Sequence, residues 1–487
     1  MTGLEKVALN PLEFSTPINL NLIASYELAV QFYDAVGISG YRNKRVAQLQ
    51  VLLANLLTAN MADKRIYLVV SLANSSYQPN SRYNRKKIGK SFITLIKHLT
   101  EAGLLELHKG FFDRATKYAR KSRIRLTDKA LELLKAVQAY SYLIAYDANT
   151  ECIILRDEHK QYLEYSDTSE IITNRQNLTA YNNLLHRTLI DNPRFPQNGV
   201  HMKDGRLFNI SPSDKFVRRI YNRSSFDWNG RFFGGWWQRM PKQYRNGIQI
   251  NGSQTCEIDF AAIHIVLLYA IEGVDYWQER KIDPYLLDGF DESPEIRNLL
   301  KVIVLVAVNA KDRAQAVNAL RHKIFTTDRE QFSWFIDSHY NLENILDLFV
   351  EKHKVIKKRF FSSDTFSVMK IDSEIADFII NHFTGIGIPV LGIHDSFIID
   401  NKYEGDLKKI MQEACRYVLQ KRFNTHIIDT KIGFEGIDIS GFTDLLRTNH
   451  QYFNDMFLND RYTDKNIKRR QEVRKHRTLV GDQDYYF

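Results

Sequence analysis

The chain has 487 residues, 44% of them hydrophobic, so it is too long for one ordinary domain and has enough apolar residues for two or three. Its 67 Lys and Arg against 57 Asp and Glu give a net charge of +10, which together with 25 Tyr and 29 Phe favours a nucleic-acid partner over a merely basic protein. Three scattered cysteines argue against a disulfide framework or zinc site, and no apolar run reaches the roughly 18–20 residues that span a bilayer, so we expect a cytoplasmic protein without a membrane partner.

The first part of the chain predicts two helices, a strand and a hairpin. Apolar residues recur at helical spacing in both helices, and Ser91 is a candidate N-cap for the second. Two β-rich runs follow it, joined by a basic loop. The predicted elements are a helix at 42–60, a strand at 66–70, a helix from Ser91 to Gly103, and strands at 104–108 and 122–126.

This order of elements resembles the winged-helix domains of replication initiators and transcription regulators. The resemblance implies that the second helix enters the major groove and that the hairpin lies along the DNA backbone. A domain that makes only protein contacts, with its charges solvated, is the alternative. Under the first interpretation phosphates are contacted by Lys90, Lys97, Arg114, Lys117, Arg120 and Lys121.

The middle of the chain predicts further helices and then a basic, aromatic-rich segment. We expect a helix at 126–142 that joins the two halves and an amphipathic helix at 169–190. Residues 215–245 combine many cations with aromatic rings, which favours a primer–template contact. For Trp236 and Trp237 the alternative is that they fill a hydrophobic core.

Two short strands further along each deliver an aspartate to one end. Residues 249–260 read as a strand that carries Asp259 and breaks into an apolar helix at 261–270. Residues 389–400 read as a hairpin with Asp395 on its turn. Two such carboxylates can meet only in a folded sheet, where they would bind a pair of divalent ions for phosphoryl transfer.

The residues around these aspartates resemble the motifs of a known enzyme family. Asp259-Phe-Ala-Ala-Ile-His264 resembles the first catalytic motif of family A DNA polymerases, and Ile393-His-Asp-Ser-Phe397 resembles the third, close also to single-subunit phage RNA polymerases. The second motif is matched by Arg297 and Lys301. Elements that precede the first motif are matched by Gly230-Arg231 and by Gln238-Arg-Met-Pro241.

This resemblance implies a multidomain α+β protein, with an N-terminal winged helix followed by a right-hand polymerase of antiparallel palm sheet and helical fingers and thumb. Its implied divisions are a winged helix at 1–140, a polymerase core at 141–445 and a basic tail at 446–487. Within the core, the thumb is expected at about 145–225, the palm at about 226–270 and 365–440, and the fingers at about 275–360. Asp372 and Glu374 are expected to be surface charges.

The resemblance also implies roles for individual residues. Asp259 and Asp395, helped by the backbone carbonyl of Phe260, would bind two Mg²⁺ ions, with Mn²⁺ as an alternative. Glu257 is expected to support this site rather than bind metal. A nucleoside triphosphate would be bound on the fingers side by Arg297, Lys301, His264, Leu305 and Asn309, and a primer–template by Arg231, Gln238 and His394.

At two places the sequence departs from the family pattern. His264 occupies the position at which DNA-selecting members carry a glutamate that blocks the ribose 2′-hydroxyl, which leaves the choice of sugar open. Leu305 and Asn309 fall near the positions of the aromatic residues that stack on the nascent base pair. Both departures bear on how the nucleotide is selected.

Three functions therefore remain open. The first is a DNA polymerase without a proofreading exonuclease, because no carboxylate cluster before residue 220 suggests one. The second is a primase or RNA-polymerase-like enzyme. The third is a non-catalytic replication initiator or regulator that acts through the winged helix, and the presence of both aspartates and the Arg297–Lys301 pair argues against it.

Overall fold

The computed structural model describes residues 15–436, except 63, 113, 115–118, 138–143, 148, 195–198, 202–206, 210–213, 281, 339, 363–367 and 424–433. It is a mixed α/β molecule with several sheets and many helices. Its buried apolar residues form two clusters, one from Leu22 to Ile144 and the other from Cys152 to Leu419. The predicted basic tail at 446–487 lies outside the described residues.

The first cluster is enclosed by four helices and by short strands. The helices are α1 (Tyr26–Val36), α2 (Arg42–Ala62), α3 (Lys90–Glu101) and α4 (Asp128–Ala136). The strands are β1 (Ser15–Pro17), β2 (Leu22–Ala24), β3 (Tyr67–Val70), β4 (Leu105–His108), β5 (Phe111–Phe112), β6 (Ala119–Arg120), β7 (Ser122–Leu126) and β8 (Ile144–Tyr146). A short 3-10 turn spans Asn74–Ser76.

The predicted apolar stripes are the faces that this core buries. Val46, Leu49 and Leu53 on α2 and Phe92, Ile96 and Leu99 on α3 are all buried. The helix α3 is capped at Gly89, so the prediction of Ser91 as its cap is wrong. Instead, Ser91 lies in the first turn, where its hydroxyl accepts a hydrogen bond from Gln48 of α2 and helps to join the two helices.

A four-stranded sheet covers these helices in the order β1-β3-β7-β4. Strands β4 and β7 form an antiparallel hairpin, and β5 and β6 extend it as a separate two-stranded ribbon. The helix α3 leads directly into this hairpin, and Thr127 caps α4 after it.

The remaining elements follow from Ile153 onwards. The strands are β9 (Ile153–Leu155), β10 (Ile190–Asp191), β11 (Gly199–His201), β12 (Leu207–Asn209), β13 (Val217–Tyr221), β14 (Asn229–Gly234), β15 (Gln249–Ile250), β16 (Ser253–Phe260), β17 (Leu391–Ile393), β18 (Ser396–Asp400) and β19 (Phe434–Gly436). The helices are α5 (Ser169–Arg187), α6 (Trp236–Arg239), α7 (Lys242–Arg245), α8 (Ile263–Ile271), α9 (Tyr276–Glu279), α10 (Pro294–Asn309), α11 (Arg313–His322), α12 (Ser333–Ile336), α13 (Leu342–Lys352), α14 (Val368–Gly385) and α15 (Glu404–Phe423).

The main sheet of this part runs β10-β15-β16-β18-β17, with β19 also paired to β16. The pairing of β16 with β18 is antiparallel, and it joins segments that are far apart in the chain. A second sheet, β14-β13-β9, is formed by the same part of the chain. Of the helices that the structure describes, none combines the length and hydropathy that a bilayer span requires.

Polar contacts join the parts of the chain that carry the two clusters, which we call the first unit (Leu22 to Ile144) and the second unit (Cys152 to Leu419). The Arg82 guanidinium contacts Asp167 at 3.1 Å and Glu164 at 3.4 Å, and it lies 3.6 Å from the centre of the Tyr165 ring. The hydroxyl of Tyr83 donates to the carbonyl of Leu163 at 2.8 Å. The loop before α3 is therefore attached directly to the second unit.

A buried histidine connects three segments of the helical region between β16 and β17 through hydrogen bonds. His353 follows α13, and its Nε2 donates to the carbonyl of Pro284 at 3.0 Å. Its Nδ1 accepts a hydrogen bond from the hydroxyl of Tyr269 on α8 at 3.0 Å. Burial lowers the pKa of His353 to about 4, so the imidazole is neutral at physiological pH.

We expect this histidine to make stability pH-dependent. The folded-state pKa is below the unfolded value, so stability is full above about pH 6.5 and falls as the pH approaches 4. When the pH falls from about 7.5 to about 5, protonation of His353 in the unfolded chain should lower the free energy of unfolding by about 2 kcal/mol. Urea titrations at the two pH values should show that His353→Gln abolishes this pH-dependent loss of stability. The substitution His159→Gln, at an exposed site, should leave it unchanged. Equal pH dependence in all three proteins would contradict the assignment.

Candidate active site

The two aspartates named from the sequence lie at the same end of two paired strands. Asp259 on β16 is opposite Ser396 on β18, and Asp395 immediately precedes Ser396. The backbone N–H of Phe260 donates to the carbonyl of Asp395 at 3.4 Å. Strand pairing therefore brings together two acidic residues from distant segments.

Asp395 lies in a two-residue turn, since Ile393 pairs with Ser396 across it. The first turn residue, His394, has φ 58°, a conformation that is uncommon for residues other than glycine. Its ring contacts Phe233 edge to face, with 5.5 Å between ring centres. Burial lowers the pKa of His394, and the nearby Arg231 acts in the same direction while Asp395 opposes it.

Side chains from two other elements fix β17, the first strand of this hairpin. The carbonyl of Gly392 accepts from Trp237 Nε1 at 3.2 Å and from Gln238 Nε2 at 2.9 Å. Gln238 Oε1 also accepts from the N–H of Gly234 at 2.9 Å. The carbonyl of Val390 accepts from the Tyr181 hydroxyl at 2.7 Å. Gln238, which the resemblance assigns to primer contact, thus supports the hairpin that carries Asp395 from within the protein.

Glu257 lies on the same face of β16 as Asp259, because strand side chains alternate. Its carboxylate accepts from Arg245 Nε at 2.8 Å and from Arg245 Nη2 at 2.5 Å. It also accepts from the Ser396 hydroxyl at 3.0 Å. Glu257 is therefore charge-balanced by Arg245 and positions the strand that follows Asp395.

Arg231 joins an acidic residue to the histidine at the end of the first motif. Its Nε donates to Asp372 at 2.7 Å, and its Nη2 donates to His264 Nε2 at 3.0 Å. Since a guanidinium only donates, His264 Nε2 must accept and the imidazole proton lies on Nδ1. Burial lowers the pKa of His264, whereas the charges of Asp372 and Asp395 oppose this shift. His264 is thus a neutral imidazole in the electrostatic neighbourhood of Asp395.

The expectation that Asp372 and Glu374 are surface charges is wrong. Asp372 is 2% exposed and paired with Arg231, while the half-buried Glu374 is paired with Arg422. The sequence contains a signal that could have located Asp372. On α14 it lies at helical spacing from Val368, Ile375 and Ile379, so it belongs to the apolar stripe. An acid in such a stripe needs a buried partner.

The basic segment 215–245 is less available to nucleic acid than its composition suggests. Lys215, Arg219, Arg231 and Arg245 are buried or largely buried and bind protein groups. Arg219, for example, contacts Asp377 at 3.1 Å and the carbonyl of Gly230 at 3.0 Å. Trp236 and Trp237 are fully buried, so of the two open interpretations the core one is correct. Acids on distant elements explain this outcome, and composition does not reveal them. Exposed cations of the segment include Arg223, Arg239 and Lys242.

Four of the five predicted triphosphate residues lie on α10, and the fifth, His264, lies on α8. Arg297, Lys301, Leu305 and Asn309 follow at four-residue spacing and share one face of this helix. Arg297 Nε donates to Asp283 at 2.6 Å, and both cations lie near the Tyr285 ring, at 5.3 Å and 5.7 Å from its centre. Leu305 and Asn309 are exposed, and the Asn309 amide donates to the carbonyl of Leu305 at 2.7 Å.

Of the predicted DNA-contact residues, Lys90 and Lys97 lie on α3, Arg120 lies on β6, and the exposed Arg114 and Lys121 lie just after β5 and just before β7. Lys90 and Lys97 are exposed and share one face of α3. Arg120 lies in the ribbon beyond β4 and β7, with its guanidinium 5.0 Å from the centre of the Phe111 ring. Lys117 lies outside the described residues.

The donor set of the site suits a hard cation that keeps ligands from water or substrate. Asp259 and Asp395 supply carboxylate oxygens, and Mg²⁺ is commonly held by one or two carboxylates together with substrate phosphates. Among the described residues, no group of three or more His, Cys, Asp or Glu forms a complete protein cage. A ligand role for the carbonyl of Phe260 stays a prediction.

Comparison with known proteins gives only distant likenesses, all among solved structures. No protein-family model matches the sequence, and no curated protein matches it. A solved structure, the POL domain of Pol1 from M. smegmatis in complex with DNA primer-template and dNTP, is similar at 12% identity and a TM-score of 0.25. The match covers 85% of this chain and 66% of that chain, which is less than two thirds of the neighbour. A likeness at this level does not establish a shared fold.

We expect Asp372→Asn to destabilise the protein, because it leaves the Arg231 cation largely buried without its anionic partner. Breaking a buried ion pair in this way costs about 3–5 kcal/mol. The free energy of unfolding from urea titration measures this loss. Asp406→Asn, at an exposed position on α15, is the matched control and should change stability little. A loss below about 1 kcal/mol for Asp372→Asn would show that the ion pair contributes little.

Proposed function

We propose that this protein is a template-directed nucleotidyltransferase, and specifically a DNA polymerase of the right-hand class without a proofreading exonuclease. The observation that carries the proposal is the pairing of β16 with β18, which sets Asp259 beside the turn that holds Asp395. The order of the motifs along the chain supports it, with Arg297 and Lys301 on a helix between the two aspartates. A primer–template and a nucleoside triphosphate are the proposed partners.

In the proposed reaction the 3′-hydroxyl of a primer attacks the α-phosphate of the triphosphate, and pyrophosphate leaves. If bound at Asp259 and Asp395, a magnesium pair would supply Lewis-acid chemistry that lowers the pKa of the 3′-hydroxyl, so that it loses its proton to solvent as it attacks, and that neutralises the charge of the pyrophosphate leaving group. The protein's own residues align the reactants. Glu257 and Gln238 support this alignment, because they fix the strands that carry the two aspartates.

His264 and His394 flank the proposed reaction centre. Because Nε2 accepts from Arg231, the Nδ1–H is the donor of the His264 ring, and a neutral donor is suited to contact an uncharged sugar hydroxyl. His394 in the adjacent turn is proposed to contact the primer end. The choice between deoxyribose and ribose, and hence between a DNA polymerase and a primase-like enzyme, then depends on how the sugar fits beside His264.

The first unit is proposed to be a winged helix that binds DNA. The sheet order β3-β7-β4, with α3 leading into the β4–β7 hairpin, supports this proposal. Lys90 and Lys97 on the exposed face of α3 would contact phosphates, as would Arg120 on the hairpin extension. The affinity from such contacts falls as salt rises.

We expect Asp259→Asn and Asp395→Asn each to lower the incorporation of labelled nucleotide on a primed template by about a hundredfold or more. Each change removes a charged ligand while keeping the shape of the side chain. The control is Asp400→Asn on the same strand as Ser396, which should retain activity. Parallel assays with deoxynucleotides and ribonucleotides, on primed and unprimed templates, separate a DNA polymerase from a primase.

Thermal unfolding distinguishes loss of chemistry from loss of fold. The Asp395→Asn protein should unfold at the same or a higher temperature, because the change relieves repulsion between neighbouring carboxylates. Undiminished incorporation by both variants would place the active site elsewhere. No incorporation by the unmutated protein, with DNA binding intact, would favour the non-catalytic initiator.

We expect Asp283→Asn to lower the KM for the nucleoside triphosphate by about threefold, because the carboxylate competes with phosphate for Arg297. Asparagine keeps the side-chain oxygen that accepts from the N–H of Tyr285. Initial rates against triphosphate concentration measure the effect, with kcat expected to change little. Asp291→Asn, an exposed change just before α10, serves as control. An unchanged or raised KM in Asp283→Asn would contradict competition at Arg297.

A further inference from the structure

The hairpin of the first unit ends in a ribbon with two exposed phenylalanines. Phe111 and Phe112 form β5, with Phe111 opposite Arg120 and Phe112 opposite Ala119 on β6. Phe111 is 47% exposed and Phe112 is 63% exposed. Neighbouring residues in a strand point to opposite faces, so each face of the ribbon carries one aromatic ring.

Neither ring belongs to one of the two hydrophobic cores. A two-stranded ribbon is only marginally stable on its own, and a ring that is half exposed or more, as Phe112 is, contributes less to folding than a buried ring. Their position is therefore better explained by a binding partner than by folding. The residue opposite Phe112 is Ala119, whose side chain is only a methyl group, and Phe112 is the more exposed of the two rings.

The junction at Gly110 fixes how the ribbon leaves the sheet. A Cβ at this position would lie 2.5 Å from the carbonyl oxygen of Arg120 and 2.7 Å from the nitrogen of Ser122. The backbone at Gly110 therefore approaches the backbone of residues 120–122 so closely that a residue with a side chain would not fit here. The Gly110 N–H also donates to the Ser122 hydroxyl at 3.0 Å. The rings are consequently held at a defined place beyond the four-stranded sheet.

The charges around the rings identify the kind of partner. Lys109 and Lys121 are exposed at the base of the ribbon, and the Arg120 guanidinium lies over Phe111. Lys90 and Lys97 are exposed on α3, the helix that leads into the same hairpin. Cations attract phosphates, and a flat ring stacks on a base that is not covered by a neighbouring base pair. An apolar protein partner would match the rings and not the cations.

We propose that the ribbon binds unpaired bases of a nucleic acid, with Phe112 stacking on a base at a single-stranded segment or at the end of a duplex. Phe111, with Arg120 against its ring, forms the second stacking face. The unit would then direct the protein to junctions between duplex and single strand. This inference rests on the proposal that the first unit binds nucleic acid, and it does not depend on the catalytic aspartates.

The test compares binding of the full-length protein to three DNA probes by fluorescence anisotropy at one ionic strength. The probes are a blunt duplex, the same duplex with a single-stranded tail, and the single strand alone. We expect Phe112→Ala to weaken binding to the tailed duplex and the single strand about fivefold or more. Binding to the blunt duplex should change less than about twofold. Phe112→Trp, which keeps a flat ring, should restore the affinity.

Two controls make the outcomes distinct. Tyr26→Ala removes an aromatic ring of comparable exposure, 58%, from α1 of the same unit and should leave all three affinities unchanged. A 2-aminopurine base in the tail should lose fluorescence on binding to the unmutated protein and not to Phe112→Ala. Equal weakening on all three probes, or none, overturns the stacking proposal. If the stacking proposal is overturned but Lys90→Ala weakens binding to the blunt duplex, the proposal that the first unit binds DNA is retained. A protein that binds none of the probes overturns both.

Discussion

The register of β16 against β18 is the constraint on which the site depends. With Asp259 opposite Ser396, the acidic residue of one strand lies beside the turn that carries the other. A slip by one residue would turn every side chain of β16 to the opposite face. It would also move Ile258, which is buried opposite Phe397 of β18, out of the core. Apolar burial thus enforces the alignment of the polar residues.

Internal counter-charges surround this alignment. Arg245, Arg231 and Arg219 lie close together in sequence, yet each pairs with an acid, Glu257, Asp372 or Asp377 respectively. Breaking a buried ion pair costs a large part of the free energy of unfolding. These pairs therefore fix the relative positions of β13, β14, β16 and α14. A segment that resembles a nucleic-acid contact in composition therefore acts largely as internal reinforcement. The cations that remain exposed, such as Arg223 and Lys242, are the ones available to a ligand.

The sequence predicts elements better than it predicts partners. The helical spacing of Val46, Leu49 and Leu53 located α2, and the alternation around Asp259 located β16, because both patterns are local. The helical spacing of Asp372 indicates its burial, but its pairing with Arg231 could not be predicted, because Arg231 lies far away in the chain. For the same reason the structural role of Gln238 could not be predicted, since it depends on a carbonyl of β17. Tertiary pairing decides these roles, and periodicity carries no record of it.

Strand β17 lies at the edge of the main sheet, where unpaired carbonyls would ordinarily invite another chain to add a strand. The carbonyls of Val390 and Gly392 are instead capped by the side chains of Tyr181, Trp237 and Gln238. These three donors lie on the helices α5 and α6, so they satisfy the edge carbonyls without adding a strand. The same contacts that steady the hairpin therefore also protect the folded molecule against edge-to-edge aggregation.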